Sequence, residues 1–405
     1  MIGHDPHKQI GYIQQSLSAD KKPLGIFVGA GCPTAIKSEK TPAAPLIPDI
    51  KGMTELVQSK LCGQNNCKGL LKAVETNFCT DGKKDASIED VLTHLRALRY
   101  VAGKETVRGL TAENLDLLDA EICQCIYELV NKELPDTATP YHRIAAWIDA
   151  IGRERPVEIF TTNYDLLMEQ AFEDFRVPYF DGFAGARRPF FDLRAMEEDS
   201  LPPRWARLWK LHGSINWHQI PGKGVFRGQN PDGNDVKRVI HPSHLKYEES
   251  RRMPYLAMMD RLRAFLKQPT ATLLLSGYSF RDEHINEVIV QGLQSTPTAI
   301  AFALLFGELK KYPAAVELAK KRPNLTLLAE DSAVISGVQK GWLERGAEAL
   351  PPGDGRYVTW VPLDKKDKNS QQRACFKLGD FARLGDFFHE LVGEVHLPPE
   401  KTDGK

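Results

Sequence analysis

The apolar positions of the chain keep two rhythms, and the change from one to the other divides it. Between about residues 53 and 132 the spacing is helical: Ile88, Val91, Leu92, Leu95 and Leu98 recur every three or four positions, and Leu115, Leu118, Ile122, Ile126 and Leu129 repeat the period. Ser87 with Asp90 three positions on predicts a capped amino end for the first stripe. A further helix is predicted from Thr139-Pro140, a cap followed by proline at the first position, with Ile144 and Ile148 turned inward. These stripes read as packing surfaces of a helical insertion at about residues 53–150 rather than as a cofactor box. A short amphipathic stretch, Ile10, Ile13 and Leu17, opens the chain.

Elsewhere the apolar runs are short and continuous, and each ends in small or polar residues. Residues 24–28 lead to Gly29-Ala30-Gly31-Cys32 and a proline-rich connection to Pro48 that could cover a ligand. Residues 157–161 lead to Thr162-Asn163-Tyr164-Asp165 and a helix over 166–175, and residues 208–211 lead to His212-Gly213-Ser214-Ile215-Asn216. Residues 272–276 lead to Gly277-Tyr278-Ser279-Phe280-Arg281-Asp282 and a helix through Val290; runs at 299–306, followed by a basic helix, and at 325–328 close the series. Strands alternating with helices predict an α/β fold, a Rossmann-like doubly wound parallel sheet, in which ligands bind beyond the carboxyl ends of the strands. The four polar clusters fall there.

The glycines of residues 221–241 and the Pro231-Asp232-Gly233 turn suggest a hairpin joining 225–226 to 236–240. The expected organisation is one nucleotide-binding domain over residues 1–330, carrying the insertion, and a small carboxyl-terminal extension over 331–405. That extension has a strand at 357–361, a charged segment at 364–368, a helix near 381–391 and a disordered tail from 398.

Composition narrows the classes. Among 405 residues, Lys+Arg and Asp+Glu number 53 each, so no global attraction to nucleic acid or to an anionic membrane is implied. The seven cysteines are scattered without a Cys-x-x-Cys spacing, which fits a reduced compartment. Residues 1–10 lack an apolar signal core and the longest apolar runs are far too short to span a bilayer, so a cytoplasmic protein is expected.

Glycines at 29 and 31 after a strand would let the backbone approach a pyrophosphate, with its charge against amide groups and a helix amino end. The dinucleotide fingerprint is incomplete, since Thr34 stands where its third glycine would fall. Taken alone, the same glycines read more readily as a plain turn. Asn163 could cap the next helix or be left free for a ligand by Asp165, the better cap. Asp49 could be a turn residue, Ser279 and Asp282 helix caps, and Cys32 either a nucleophile or, the better reading, a small residue packed beside the glycine loop.

Taken in order, Gly29-Ala30-Gly31, Ile47-Pro48-Asp49-Ile50-Lys51, Thr161-Thr162-Asn163-Tyr164-Asp165, Leu211-His212-Gly213 and Gly277-Tyr278-Ser279 resemble the motifs of the sirtuin family of NAD-consuming enzymes. The resemblance implies that Gly29, Ala30 and Gly31 line the pyrophosphate, that Asn163 and Asp165 hold the nicotinamide ribose, and that His212 is the base. Cys32, Asp49 and Thr162 are implied cofactor contacts with them, and Gly277 and Ser279 lie on the adenosine side. Two departures bear on the chemistry. No cysteine lies between His212 and Cys375, so the four-cysteine zinc module of the deacylating members is not expected. Ile50 and Lys51 stand where those members carry an aromatic residue and arginine, so shielding of the sugar from water is reduced and hydrolysis is favoured over transfer. A zinc-free core of this kind resembles the bacterial anti-phage sirtuin-like proteins, which implies NAD hydrolysis, a homo-oligomer and a hexameric HerA-type ATPase as possible partner. The alternatives are a deacylase or ADP-ribosyl transferase on the same fold, and a scaffold that binds NAD or ADP-ribose without turnover.

Overall fold

The computed structural model describes residues 3–38, 41–82, 86–198, 200–220, 224–228, 237–240, 254–345, 355–364 and 371–393. Its frame is a nine-stranded sheet built, among the described residues, from β1 (Leu24–Val28), β2 (Val157–Thr161), β3 (Tyr179–Phe180), β4 (Ala206–Lys210), β6 (Thr272–Ser276), β7 (Ile300–Leu304), β8 (Leu325–Leu328), β9 (Ser332–Ile335) and β10 (Val338–Gly341). A further strand, β5 (Gly213–Ile220), leaves the end of β4 for a second, antiparallel sheet. The order across the main sheet is β10-β9-β8-β7-β6-β1-β2-β4-β3, parallel from β3 to β8, with β9 and β10 antiparallel at one edge. The α/β class and the mostly parallel sheet are as expected from the strand series.

β1 lies between β2 and β6, so the chain leaves the sheet centre in opposite directions on its two sides. This is the switch point at which open parallel sheets form a crevice beyond their carboxyl ends. Both faces are covered, which is why β1, β2, β4 and β6 are buried at every position and mainly apolar, the charged exceptions Glu158, Arg207 and Lys210 being buried with Trp209 Nε1, Trp205 O and Glu169 as partners. Leu24, Ile26 and Val28 of β1 enter one core and Phe27 the other. The first core is covered by α1 (Pro6–Ser18), the insertion helices α2 (Ile50–Cys62), α3 (Asn65–Thr80), α4 (Ile88–Ala102) and α5 (Ala112–Val130), and by α6 (Pro140–Ala150) and α7 (Leu167–Asp174). The second is covered by α8 (Tyr255–Leu266), α9 (Glu283–Ser295) and α10 (Pro313–Lys321). Ser87 and Asp90 form the expected capping box on α4, and Thr139 pairs with His142 in another on α6.

Two local expectations are corrected. The segments Gly224–Arg227 and Lys237–Ile240 do not form a hairpin with each other: β5 lies between them and pairs with both. Residues 213–220 make an eight-residue strand with two open edges, and each segment takes one. The turn at 231–233, the charged run from 365 and the tail lie outside the described residues. After Gly31 the chain makes a three-residue 3-10 turn, Pro33–Ala35, instead of a helix, so no extended helix dipole points at the glycine loop.

The described residues beyond 330 pack into the same cores. β9 and β10 continue the main sheet, and Trp342 stacks on Phe376 at 5.5 Å. α11 (Phe381–Val392) packs along α6, with Trp147 against Phe388 at 4.8 Å and Tyr141 against Phe381 at 5.1 Å. Gly385 permits the crossing, since a Cβ there would lie 2.7 Å from the Pro140 Cα. No helix among the described residues is long and apolar enough to cross a membrane.

Candidate functional site

Four loops meet beyond the carboxyl ends of β1, β2, β4 and β6. The glycine loop after β1 and the turn after β6 are locked backbone to backbone: the Gly29 amide donates to Ser276 O at 2.9 Å, the Gly31 amide to Gly277 O at 2.9 Å, and the Cys32 amide to Gly29 O at 3.0 Å. A Cβ on Gly29 would lie 2.6 Å from the Gly277 carbonyl carbon, and one on Gly277, at φ +66°, would lie 2.6 Å from both the amide nitrogen and the sulfur of Cys32. These glycines are therefore demanded by each other's backbone, whatever else approaches them. Of residues 29–32, Ala30 is the exposed one, and its amide has no partner among the described residues.

Cys32 lies wholly inside this junction. Burial pushes its thiol up to about 12, and its sulfur donates to Ser276 O at 3.3 Å. A thiol held protonated is no nucleophile, which favours the packing reading. Asp49 is an exposed cap of α2, accepting from the Gly52 amide at 2.8 Å.

After β2, Asn163 is buried; its amide group donates to Gly29 O at 3.3 Å and its backbone N–H to Thr161 Oγ1 at 3.0 Å. Its Oδ1 has no partner among the described residues. A buried carbonyl without a donor costs about 1–3 kcal/mol, so the atom marks a place built to meet something. Thr162 is half-buried beside it. Asp165 is buried and its Oδ1 takes the Leu167 amide at 3.1 Å, but it lies one residue before the N-cap of α7, Leu166, so the expected cap at Asp165 is corrected to a bond just ahead of the helix. Lys210 sits inward against the Asp165 carbonyl and 2.8 Å from Glu169.

Burial raises the Asp165 carboxyl to about 6, with Lys210 opposing the shift. Between pH 4 and 6 the folded chain therefore holds a proton that the unfolded chain has released, and stability falls as pH rises through that window, by roughly 2–3 kcal/mol. Asp165→Asn keeps the acceptor for Leu167 and removes the titration. The variant is expected to melt above the parent at pH 7.5 and level with it near pH 4, in parallel thermal melts; an unchanged difference across the range contradicts this account.

After β4, His212 stands half-buried, with Nε2 3.0 Å from the Asp282 carboxylate. Asp282 is also the expected cap of α9, its other oxygen taking the amides of His284 at 3.0 Å and Ile285 at 3.2 Å. The cap is thus also a histidine partner. The loops of β2 and β4 are stapled together by Leu211 N donating to Thr161 O at 2.8 Å and Ile215 N to Tyr164 O at 3.0 Å. Tyr164 faces the His212 ring at 6.5 Å and donates to Glu89 of the insertion at 3.2 Å, tying α4 to the site. Ser279 is exposed on the turn after β6.

The structure therefore brings Gly29, Ala30, Gly31, Cys32, Asn163, Asp165 and Gly277 into one cluster and sets His212 on the neighbouring strand end. Asp49 and Ser279 are exposed, and Asp49 is engaged with its own helix instead of with that cluster. Two polar groups went unread in the sequence. The Asp282 partnership with His212 was hidden by its capping role, and Tyr141 by its place in an apolar helix. Among the described residues no group of three or more His, Cys, Asp or Glu side chains could hold a metal ion.

Residues 157–326 match the family model of the SIR2-like domain. The matched span includes Asn163, His212, Gly277 and Asp282, and the glycine loop after β1 precedes it. No curated protein matches the chain. Among solved structures, a Sir2 enzyme shares 12% identity over 74% of this chain and 86% of that one, with a TM-score of 0.36. A Sir2 homologue variant in complex with ADP-ribose shares 12% over 72% and 83%, with a TM-score of 0.34. A structure concerned with sirtuin substrate affinity shares 12% over 73% and 86%, with a TM-score of 0.33.

Proposed function

We propose that the chain is an NAD-utilising enzyme that breaks the bond between nicotinamide and ribose and passes the ADP-ribosyl group to water. The observation that carries this reading is the His212–Asp282 pair at 3.0 Å beside a buried Asn163 whose Oδ1 is unpaired, at the switch point of the sheet. The SIR2-like match over 157–326 supports NAD as the ligand.

The roles follow from the chemistry. As the glycosidic bond breaks, its electron pair leaves with the nicotinamide nitrogen and positive charge grows on the sugar carbon. Asn163 Oδ1, fixed and dry, is suited to hold a ribose hydroxyl, which donates to it without the cost of ordering solvent. Water adds to the carbon and must lose a proton. His212 accepts it, and Asp282 holds the ring and stabilises the imidazolium that forms. NAD and water yield nicotinamide, ADP-ribose and one proton. The Ala30 amide and the Gly29–Gly31 turn are assigned to the pyrophosphate. In the cell this reaction would deplete NAD, and the anti-phage role and HerA-type partner that the sequence resemblance implies belong to the proposal.

The test is purified protein incubated with NAD, with and without a HerA-type ATPase and with and without an acetyl-lysine peptide. Nicotinamide and ADP-ribose are expected in equal amounts, independent of the peptide. Release only with the peptide would replace hydrolysis by deacylation, and tight binding with NAD recovered intact would make the chain a sensor.

A further inference from the structure

The carboxyl-terminal helix and the reactive end of the sheet meet at Tyr141. This residue sits in the first turn of α6, whose amino end is fixed twice over: Thr139 and His142 close the capping box, and Pro140 is pressed against Gly385 of α11. The Tyr141 ring stacks edge-on against Phe381 of α11 at 5.1 Å and 70°. The ring is thus held by packing, and packing alone would be served as well by phenylalanine. Yet the chain carries a hydroxyl there, on a side chain 1% exposed, with no partner at good hydrogen-bond geometry among the described residues. The Asn163 side chain is close enough to act on it as a hydrogen-bonding group, against the strong upward push of burial, and Asn163 Oδ1 is also without a well-formed partner.

A buried O–H donor beside a buried, unpaired carbonyl is an uncommon arrangement, because each group left unmatched destabilises the folded chain. Both groups complement each other, and a shift of one side chain would join them. The carbonyl has two lone pairs, so it can accept from Tyr141 and from a second donor at once.

We propose that Tyr141 is a positioning residue for the cleavage reaction: with NAD in the site its hydroxyl donates to Asn163 Oδ1, locking the amide with Nδ2 on Gly29 O and leaving the second lone pair for a ribose hydroxyl. This rests on the NAD-cleaving reading above. It also gives the carboxyl-terminal helix a functional part, since Phe381 and Gly385 set the end of α6 that carries the hydroxyl.

Tyr141→Phe tests it by removing one oxygen and keeping the ring contact with Phe381. Nicotinamide release is expected to lose about tenfold or more in kcat with KM little changed, the mark of an interaction made in the transition state. In an Asn163→Ala background the same change should add nothing further, because the residue acts through Asn163. The free Tyr141→Phe protein should melt close to the parent, since the oxygen it lacks makes no well-formed hydrogen bond there. Wild-type cleavage with Tyr141→Phe equally active, or losses that multiply in the Asn163→Ala background, would overturn the assignment while leaving the NAD reading intact. A wild-type chain that neither binds nor cleaves NAD, alone or with the ATPase, overturns the reading beneath it and this inference together.

Discussion

His212→Ala is expected to lower nicotinamide release by about 10²- to 10⁴-fold, the usual loss when a positioned acid–base group is removed. The variant should fold normally, because His212 lies half-buried at a strand end and outside both apolar cores. Asp282→Asn makes the sharper comparison. Asparagine caps a helix as well as aspartate does, so the bonds from His284 and Ile285 survive and the melting temperature should move little. What is lost is the carboxylate 3.0 Å from His212 Nε2, and with it the charge that stabilises an imidazolium. A loss of about tenfold or more at unchanged stability is the expected result, read from steady-state kinetics beside thermal melts. Full activity in Asp282→Asn would show that the pair is structural.

Gly277→Ala is expected to carry the largest stability loss, about 3 kcal/mol or more, read from denaturant unfolding. Two effects add. The residue sits at φ +66°, where a side chain clashes with its own backbone at about 1–2 kcal/mol. Its Cβ would also stand 2.6 Å from the Cys32 nitrogen and sulfur, inside a junction with no room to yield. The turn also carries the chain on to Asp282, so displacement should pull the carboxylate from His212 and lower cleavage as well. Gly11→Ala is the control. Gly11 lies within α1, a Cβ added there would meet nothing within 4 Å, and alanine should stabilise the protein by roughly 0.5–1 kcal/mol. Equal effects at the two positions would contradict the backbone-contact account.

The sheet was legible because parallel strands buried on both faces are mainly apolar and end in small or polar clusters, even with Glu158, Arg207 and Lys210 buried among them, and the insertion because its stripes keep a helical period. Asn163 and His212 were legible as polar residues at strand ends in a known order. Other features depend on tertiary approach, which local pattern does not carry. Asp282 reads as a cap, and its second oxygen meets His212 only because β4 and β6 deliver their loops to the same end of the sheet. Tyr141 reads as one more core aromatic of an amphipathic helix. In β5 the buried pair Ile215 and Trp217 alternates with polar neighbours, a strand signal hidden by the polar cluster at its start. The glycines of the first loop read as room for a phosphate, whereas their tightest neighbour is the Gly277 turn more than 200 residues away in the chain.

The central claim is that Asn163 and His212 form one NAD-cleaving site, and nicotinamide release from NAD by the wild-type chain, Asn163→Ala and His212→Ala, each with and without the ATPase, tests it most directly. The account predicts cleavage by the wild type and losses of about a hundredfold or more in both variants at wild-type melting temperature. Robust cleavage that survives both substitutions would contradict it.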